Sequence, residues 1–420
     1  MSPFAWTLLG VNAAAFAVWA WINFGGRYGR SARYRLPQPE AVDPLAQGSD
    51  AWVPPLTDAN LPEANLPGVA ILSPGRNEAE HLPAVLPELC EQDYPAHHVV
   101  FIDDASADET PAIAADLTER FSNLTVVRND TEPPPGWMGK CWAIQRGYET
   151  LTQSRTLNQS KVDWLCFTDA DIHWHPRLLR TAVEHALEHD ADLVGVTPTL
   201  RFGSAAEAIV QLQLVLALGL MFPFEQAMDP ETDFALTGGA FILVRRSLYD
   251  QIGGHEAVKG EMVEDLKLGA ALKAAGAKHR VALAGDLQWC RMYDGPADMW
   301  EGLTKNAYAG LDHRWWKALP LCLAVLLFNV GPLVYAPFAA VGLILSPGWV
   351  AAIILSLALV TLLLQARALN AARKLMRLRW PYAWTLPIGS AACLVITLAS
   401  IFAHHTRGNA WKGRRYPAHP

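Results

Sequence analysis

Apolar residues are unevenly placed along this chain. They form long unbroken runs at its two ends and short, regularly interrupted ones between. From Phe4 to Phe24 no charged residue occurs, and about twenty such residues suffice for a helix to cross roughly 30 Å of hydrocarbon. Three further apolar stretches follow the middle of the chain, at Leu319–Leu345, Trp349–Leu364 and Trp384–Ala403. The pattern predicts a membrane anchor over 4–24 and two or three spans within 317–404. Between these ends "VAIL" (69–72) is a short strand stopping at the turn "SPGRN". Leu82, Val85, Leu86 and Leu89 carry helical spacing over 79–91. "HHVVFID" (97–103) is a second strand, 108–121 a second helix, "LTVVR" (124–128) a third strand, 140–151 a third helix and "DWLCFTDAD" (163–171) a fourth strand. Strands alternating with helices at this rhythm make an α/β domain with a mostly parallel sheet. Ligands of such sheets sit beyond the carboxyl ends of the strands, where Asn77–Glu78, Asp103–Asp104 and Asp169–Asp171 all fall.

Length and charge refine this picture. The 420 residues allow two or three domains: a basic, Pro-rich linker over 25–67, an α/β domain over 68–316, the C-terminal membrane segments and a basic tail over 405–420. No Lys or Arg precedes the first span, and bulky Trp19, Trp21 and Phe24 stand where a signal peptide carries small residues, so a retained anchor is expected. Arg27, Arg30, Arg33 and Arg35 follow it at once, which places the later chain in the cytoplasm. The basic loop 365–382 and the tail, with Arg407, Lys412, Arg414 and Arg415, read as cytoplasmic too. The three placements conflict if 384–403 crosses fully, whereas Pro387 and Gly389 would let that segment re-enter; parity stays open. Six scattered cysteines, without paired spacing, suggest neither a zinc site nor a disulfide framework and suit a reducing compartment. A net charge of −7 gives no nucleic-acid footprint.

Several clusters carry candidate chemistry. In "FIDDASADET", Ser106 or Asp108 is expected to cap the next helix, which leaves Asp103 and Asp104 free to accept hydrogen bonds from a ribose or base. "PGWMGKCWAIQRGYE" sets Lys140 after a Gly-containing loop at a helix start, where amides and an ammonium can meet a diphosphate; a solvated lysine is the plain alternative. In "TDAD", Asp169 and Asp171 can direct oxygens at one Mg²⁺ or Mn²⁺ ion, which takes one or two carboxylates plus substrate phosphates, although paired surface acids in a turn look the same. His173 and His175 are read as strand-exit residues without a metal role. Gly238–Gly239 permits close backbone approach. Glu264 and Asp265 open a helix, where the dipole alone favours acids, or where one of them takes a proton from an acceptor hydroxyl. Lys305, Arg314 and Trp315 stand at the membrane entrance, as an interfacial belt or as acceptor or diphosphate contacts.

The ordered set "SPGRNEAE", "VVFIDDASADET", "MGKCWAIQRGYE", "CFTDADIHWHP", "LTGGAFILVRR" and "GEMVEDLKLG" (about 68–275) resembles family 2 glycosyltransferases of the GT-A fold. The flanking spans, "RMY" (291–293) and "WKGRRY" (411–416) are similar to hopene-associated glycosyltransferases of bacteria and, more distantly, to carotenoid and ceramide glycosyltransferases. The resemblance implies that Glu78 and Asp104 hold the nucleotide base and ribose, Lys140 lies along its diphosphate, and Asp169 and Asp171 bind a metal–diphosphate. It also implies that Asp265, beside Glu264, is the general base, in a multi-pass protein of a bacterial-type inner membrane. Leu311 stands where many processive members carry the Gln of a Gln-x-x-Arg-Trp motif, which argues against a polymer synthase. The expected reaction is inverting, metal-dependent transfer from a nucleotide-sugar to a hopanoid- or isoprenoid-like lipid. The rivals are transfer to polyprenyl phosphate, a nucleotidyltransferase, and a membrane scaffold with a degenerate nucleotide-binding domain.

Overall fold

The computed structural model describes residues 3–25, 66–153, 162–221, 224–261, 263–311, 313–407, 409–411 and 414–416. Arg27, Arg30, Arg33, Arg35 and Lys412, with most of the expected linker, lie outside them. The chain divides into two compact units. One comprises Met1–Arg30, Arg201–Met221 and Arg291–Pro420, the other Ser31–Leu200 and Phe222–Cys290.

Along the chain, α1 (Pro3–Ala20) belongs to the first, helical unit and ends in a π turn, Trp21–Gly25. The α/β unit then runs β1 (Gly68–Gly75), α2 (Leu82–Cys90), β2 (His97–Asp103), α3 (Thr110–Arg120), β3 (Leu124–Arg128), α4 (Gly139–Gln153), β4 (Val162–Phe167), β5 (His173–Trp174), α5 (Leu178–Glu188), β6 (Leu193–Thr197) and β7 (Thr199–Leu200). The chain enters the helical unit for α6 (Ala205–Met221). It returns for α7 (Phe224–Met228), β8 (Ile242–Arg245), α8 (Arg246–Gln251), α9 (Glu264–Ala274), β9 (His279–Leu283) and β10 (Gln288–Cys290). The helical unit is completed by α10 (Pro296–Ala307), α11 (Trp315–Ala324), a π turn at Val325–Val330, α12 (Gly331–Leu345), α13 (Trp349–Leu375) and α14 (Leu386–Arg407).

In the α/β unit seven strands form one sheet in the order β3-β2-β1-β4-β8-β6-β9. All neighbours are parallel except at β8, which is antiparallel to β4 and β6. β1 is covered on both faces, as expected for a parallel strand reached through helical crossovers. Val69 and Ile71 pack with Leu82, Val85, Leu86 and Leu89 on one face. Ala70 and Leu72 pack with Ala143, Ile144 and Leu272 on the other. Each fully buried large side chain here, such as Phe101 or Trp164, contributes roughly 1.5–3 kcal/mol. Gly147 on α4 is required by packing, because a β-carbon there would lie 2.6 Å from Ile102 Cγ1. β5, β10 and β7 make a separate small sheet, in which the His173 ring stacks on Trp289 at 3.7 Å and Nδ1 meets Glu88 Oε1 at 3.1 Å.

The helical unit has four helices long and apolar enough to cross a membrane: Ala5–Asn23, Trp315–Leu345, Trp349–Leu375 and Leu386–Thr406. Between 17 % and 33 % of the apolar window of each is buried, and an exposed apolar surface of that extent marks a membrane or protein interaction site. α6 packs closely on α14, since a β-carbon on Gly389 would lie 2.6 Å from Ile209 O.

Candidate active site

Three parallel strands, β2, β1 and β4, end side by side, and the loops that follow them are tied together. Asp104 N donates to Gly75 O (2.9 Å). Asn77 N donates to Ser106 Oγ (2.9 Å), Ala107 N to Asn77 Oδ1 (2.9 Å) and Glu78 N to Thr110 Oγ1 (2.8 Å). Asp108 Oδ1 accepts from Thr110 N (3.0 Å), so Asp108 serves the start of α3 while Ser106 holds the neighbouring loop. Asn77 and Ala105 adopt left-handed backbone (φ 54° and 53°). That conformation is unfavourable for Ala and is a mark of loops shaped for a purpose.

This lacing buries Asp103 (1 % exposed) and Asp104 (3 %) at the rim. Asp104 Oδ1 accepts from Asn129 Nδ2 (3.0 Å) and Asp103 Oδ1 from Ser106 N (3.2 Å). Asp103 Oδ2 is buried without a hydrogen-bond donor among the described residues, with Arg128 Nε 4.0 Å away. An acceptor left so costs about 1–3 kcal/mol, which a ligand N–H or O–H would recover. Glu78 is buried at the same rim.

A second group gathers across the end of β4. Thr168 Oγ1 donates to Ala240 O (2.8 Å) and Asp169 N to Gly239 O (3.0 Å), which binds the strand exit to the loop before β8. Lys140, on the first turn of α4, places Nζ 2.6 Å from Asp169 Oδ1 and 2.7 Å from Glu264 Oε1. Burial by itself would lower the Lys140 pKa, but the carboxylates of Asp169, Glu264 and Asp265 hold it well above the ordinary lysine value. Glu264 is pushed up by burial, against the pull of Lys140. Asp265 is aimed by two amides, Gly239 N to Oδ2 (2.9 Å) and Leu266 N to Oδ1 (2.8 Å). Gly239 carries no side chain for a steric reason: a β-carbon would lie 2.7 Å from Lys140 Nζ and 2.8 Å from Asp169 Oδ2. Gly238 meets no such obstacle. Lys140, Gly239, Glu264 and Asp265 line a small cavity of about 10 Å³, roughly the room of one water.

Behind the pocket lies His255, a residue for which the sequence reading had no role. It follows two glycines in left-handed backbone, Gly253 (φ 80°) and Gly254 (φ 63°), and that "IGGH" turn was the available signal. His255 N donates to Tyr249 Oη (3.2 Å), and the ring Nδ1 lies 2.8 Å from the same oxygen. Burial, with Lys140 nearby, lowers the His255 pKa to about 3, so the ring stays neutral. The turn also anchors the entry to α4, with Met138 N donating to Lys259 O (2.6 Å) and Cys141 Sγ to Val258 O (3.5 Å).

The donor set fits a divalent ion shared with a substrate. Asp169 already holds a cation, the Lys140 ammonium. Burial, and then the negative charge of Asp171 and Asp169, pushes the buried Cys290 thiol up to about 12. Among the described residues no group of three or more His, Cys, Asp or Glu forms a protein-only metal site. Two hard carboxylates suit an ion that takes its other ligands from phosphates. Lys305, on α10, and Arg314 and Trp315, at the start of α11, belong to the helical unit.

Residues 67–306 match the family described as "Glycosyltransferase like family 2". The chain is 26 % identical over 255 residues to 4,4'-diaponeurosporenoate glycosyltransferase of Staphylococcus aureus strain MRSA252, covering 59 % of this chain and 62 % of that relative's length. Among solved structures it is similar to the mannosyltransferase PcManGT from Pyrobaculum calidifontis, solved with GDP-Man and Mn²⁺ (TM-score 0.47, 20 % identity, 93 % of this chain and 99 % of that one). It is also similar to TarS residues 1–349 of S. aureus (TM-score 0.36, 17 % identity, 83 % and 95 %). Matched over more than half its length and built on the mixed, mostly parallel GT-A sheet, the chain belongs to glycosyltransferase family 2.

Proposed function

We propose that this protein transfers a sugar, with inversion, from a nucleotide-sugar to the hydroxyl of a hopanoid- or isoprenoid-like membrane lipid, with its α/β unit in the cytoplasm of a bacterial-type cell. The observation that carries this reading is the Lys140–Asp169–Glu264–Asp265 cluster at the strand ends. The named activity of the S. aureus carotenoid relative, the membrane-length helices and the basic residues after the first of them support it.

Asp103, whose buried Oδ2 accepts no hydrogen bond among the described residues, Asp104 and Glu78 bind the ribose and base. Lys140, kept charged by its acidic neighbours, turns its ammonium to the diphosphate as negative charge develops on the leaving group. Asp169 and Asp171 would hold the divalent ion, whose charge when bound neutralises the departing diphosphate. Asp265 takes the proton of the lipid hydroxyl. Each of its oxygens accepts one amide hydrogen bond and keeps a lone pair for the substrate, so the two N–H groups orient it without occupying it. Gly239 links the two halves of the reaction, because its amide aims Asp265 and its bare α-carbon admits Lys140 and Asp169.

The test is transfer by the purified full chain in lipid nanodiscs, with a panel of nucleotide-sugars and a bacterial lipid extract, read by mass spectrometry as a hexose or aminosugar increment. Asp265→Asn should lose roughly 10²–10⁴ in rate and keep its donor affinity. Near-normal transfer by that variant would remove the base assignment, and release of pyrophosphate would mark a nucleotidyltransferase instead.

A further inference from the structure

Lys140 is shared between two carboxylates that the fold holds still. Asp169 leaves β4 on backbone tied down by Thr168 Oγ1 to Ala240 O (2.8 Å) and by Asp169 N to Gly239 O (3.0 Å). Glu264 stands on the first turn of α9 and is buried. Between them Nζ lies 2.6 Å from Asp169 Oδ1 and 2.7 Å from Glu264 Oε1. The lysine is the movable member of the three, because its ammonium rides on a flexible four-carbon stem. With side chains 25 % and 11 % exposed, Lys140 and Glu264 are shielded from the solvent that makes surface pairs weak.

The space around Nζ is uneven. Over Gly239 the ammonium and Asp169 are in close contact, since a β-carbon on that glycine would lie 2.7 Å from Nζ and 2.8 Å from Asp169 Oδ2. The cavity of about 10 Å³ lies on the other side: Lys140, His255, Glu264 and Asp265 line it, and Asp169 does not. It has the room of one water, and an ammonium head is of similar size. Nζ can therefore draw back from Asp169 towards Glu264 by side-chain rotation, with no movement of either backbone.

The two acids that open α9 are also held differently. Both Asp265 oxygens accept backbone amides, from Gly239 and Leu266. The Glu264 carboxylate is paired with Nζ, and among the described residues no backbone amide donates to it. A carboxylate oriented by amides suits proton transfer, whereas one that grips an ammonium suits keeping it in place. Asp169 Oδ1, for its part, serves one cation well and two badly. A hard divalent ion sits at about 2.0–2.1 Å from a carboxylate oxygen, and at that range it repels an ammonium bonded to the same atom.

We propose that Lys140 competes with a divalent ion for Asp169 Oδ1, yields that oxygen to it, and withdraws onto Glu264, the positioning residue that receives the ammonium. Lys140 thereby neutralises Asp169 beforehand and, once drawn back, still stands at the rim where the diphosphate charge develops. The pair at the start of α9 then divides the work: Glu264 keeps the lysine and Asp265 takes the proton. The inference rests on the reading of Asp169 as a cation ligand of the proposed transferase.

The test is a titration of Mn²⁺ alone into the purified full chain in nanodiscs, with the free ion read by electron paramagnetic resonance. Lys140→Met should bind Mn²⁺ roughly tenfold more tightly than the wild type, and Lys140→Gln serves if the methionine variant does not fold. Glu264→Gln should bind it roughly tenfold more weakly, yet change affinity by less than about twofold when added to Lys140→Met, because the double-mutant cycle isolates what passes through the lysine. Binding no tighter in the lysine variant than in the wild type overturns the proposal. So does an equal loss from Glu264→Gln with and without the lysine, which would make Glu264 a direct partner of the ion. No nucleotide-sugar is present, so this order of affinities holds or fails separately from sugar transfer, whose failure would show in the transfer assay alone.

Discussion

Gly239 shows how narrowly the site is built. Its β-carbon, if present, would press on both Lys140 Nζ and Asp169 Oδ2, while its backbone is in a region any residue can adopt. Gly239→Ala should therefore leave the melting temperature nearly unchanged and weaken donor binding about tenfold, roughly 1.4 kcal/mol, as calorimetry would register; unchanged affinity would mean the Lys140–Asp169 contact is not used. Glu264 supplies a pH test. Its raised pKa means that, as pH falls, it takes a proton before ordinary carboxylates do and releases Lys140. The pH profile of donor binding should have an acid limb above the usual carboxylate range of about 4.3, and Glu264→Gln should lack it. Persistence of that limb in the variant would assign it to another group.

At the scale of elements, the Gly254–Val258 turn holds the start of α4 through Met138 and Cys141 and the pocket floor through His255. Tyr249→Phe would remove the partner of both His255 Nδ1 and the His255 backbone N–H, leaving two buried groups unpartnered. A loss of about 1–3 kcal/mol is expected in a thermal melt, with a raised donor KM; an unaltered melt would show that water replaces the phenol. The elements around the site were largely legible because apolar runs such as "VAIL" and "VVFID" end abruptly in turn residues and acids. β3 is found at the residues expected, and α4 begins one residue from its expected start. β6 and the place of α6 were not legible. "LVGVT" is too short for its period to separate strand from helix, and α6 enters the helical unit only through contacts such as Ile209 on Gly389, distant in sequence. His255 escaped for a related reason: a lone histidine has chemistry only once the fold supplies Tyr249 and Lys140.

For the whole molecule, buried neutral histidines set the acid limit of the α/β unit. Burial lowers His255 to about 3 and His279 to about 4, from about 6.5 when unfolded. Their folded pKa values are the lower ones, so the unfolded chain binds protons first. Stability is complete above about pH 6.5 and is lost as pH falls from there towards 4. A drop of roughly 4 kcal/mol between pH 7 and 5 is expected, about 2 from each histidine, and a flat melting temperature over that range would contradict it. The central claim concerns how the two halves of the rim act together, Asp103 and Asp104 on the nucleotide and Lys140 and Asp169 on its diphosphate. It is tested most directly by titrating nucleoside diphosphates with Mn²⁺ into the full chain and into Asp169→Asn. Metal-dependent binding to the wild type that weakens at least tenfold in the variant is the predicted result; equal, metal-independent binding to both would contradict the account.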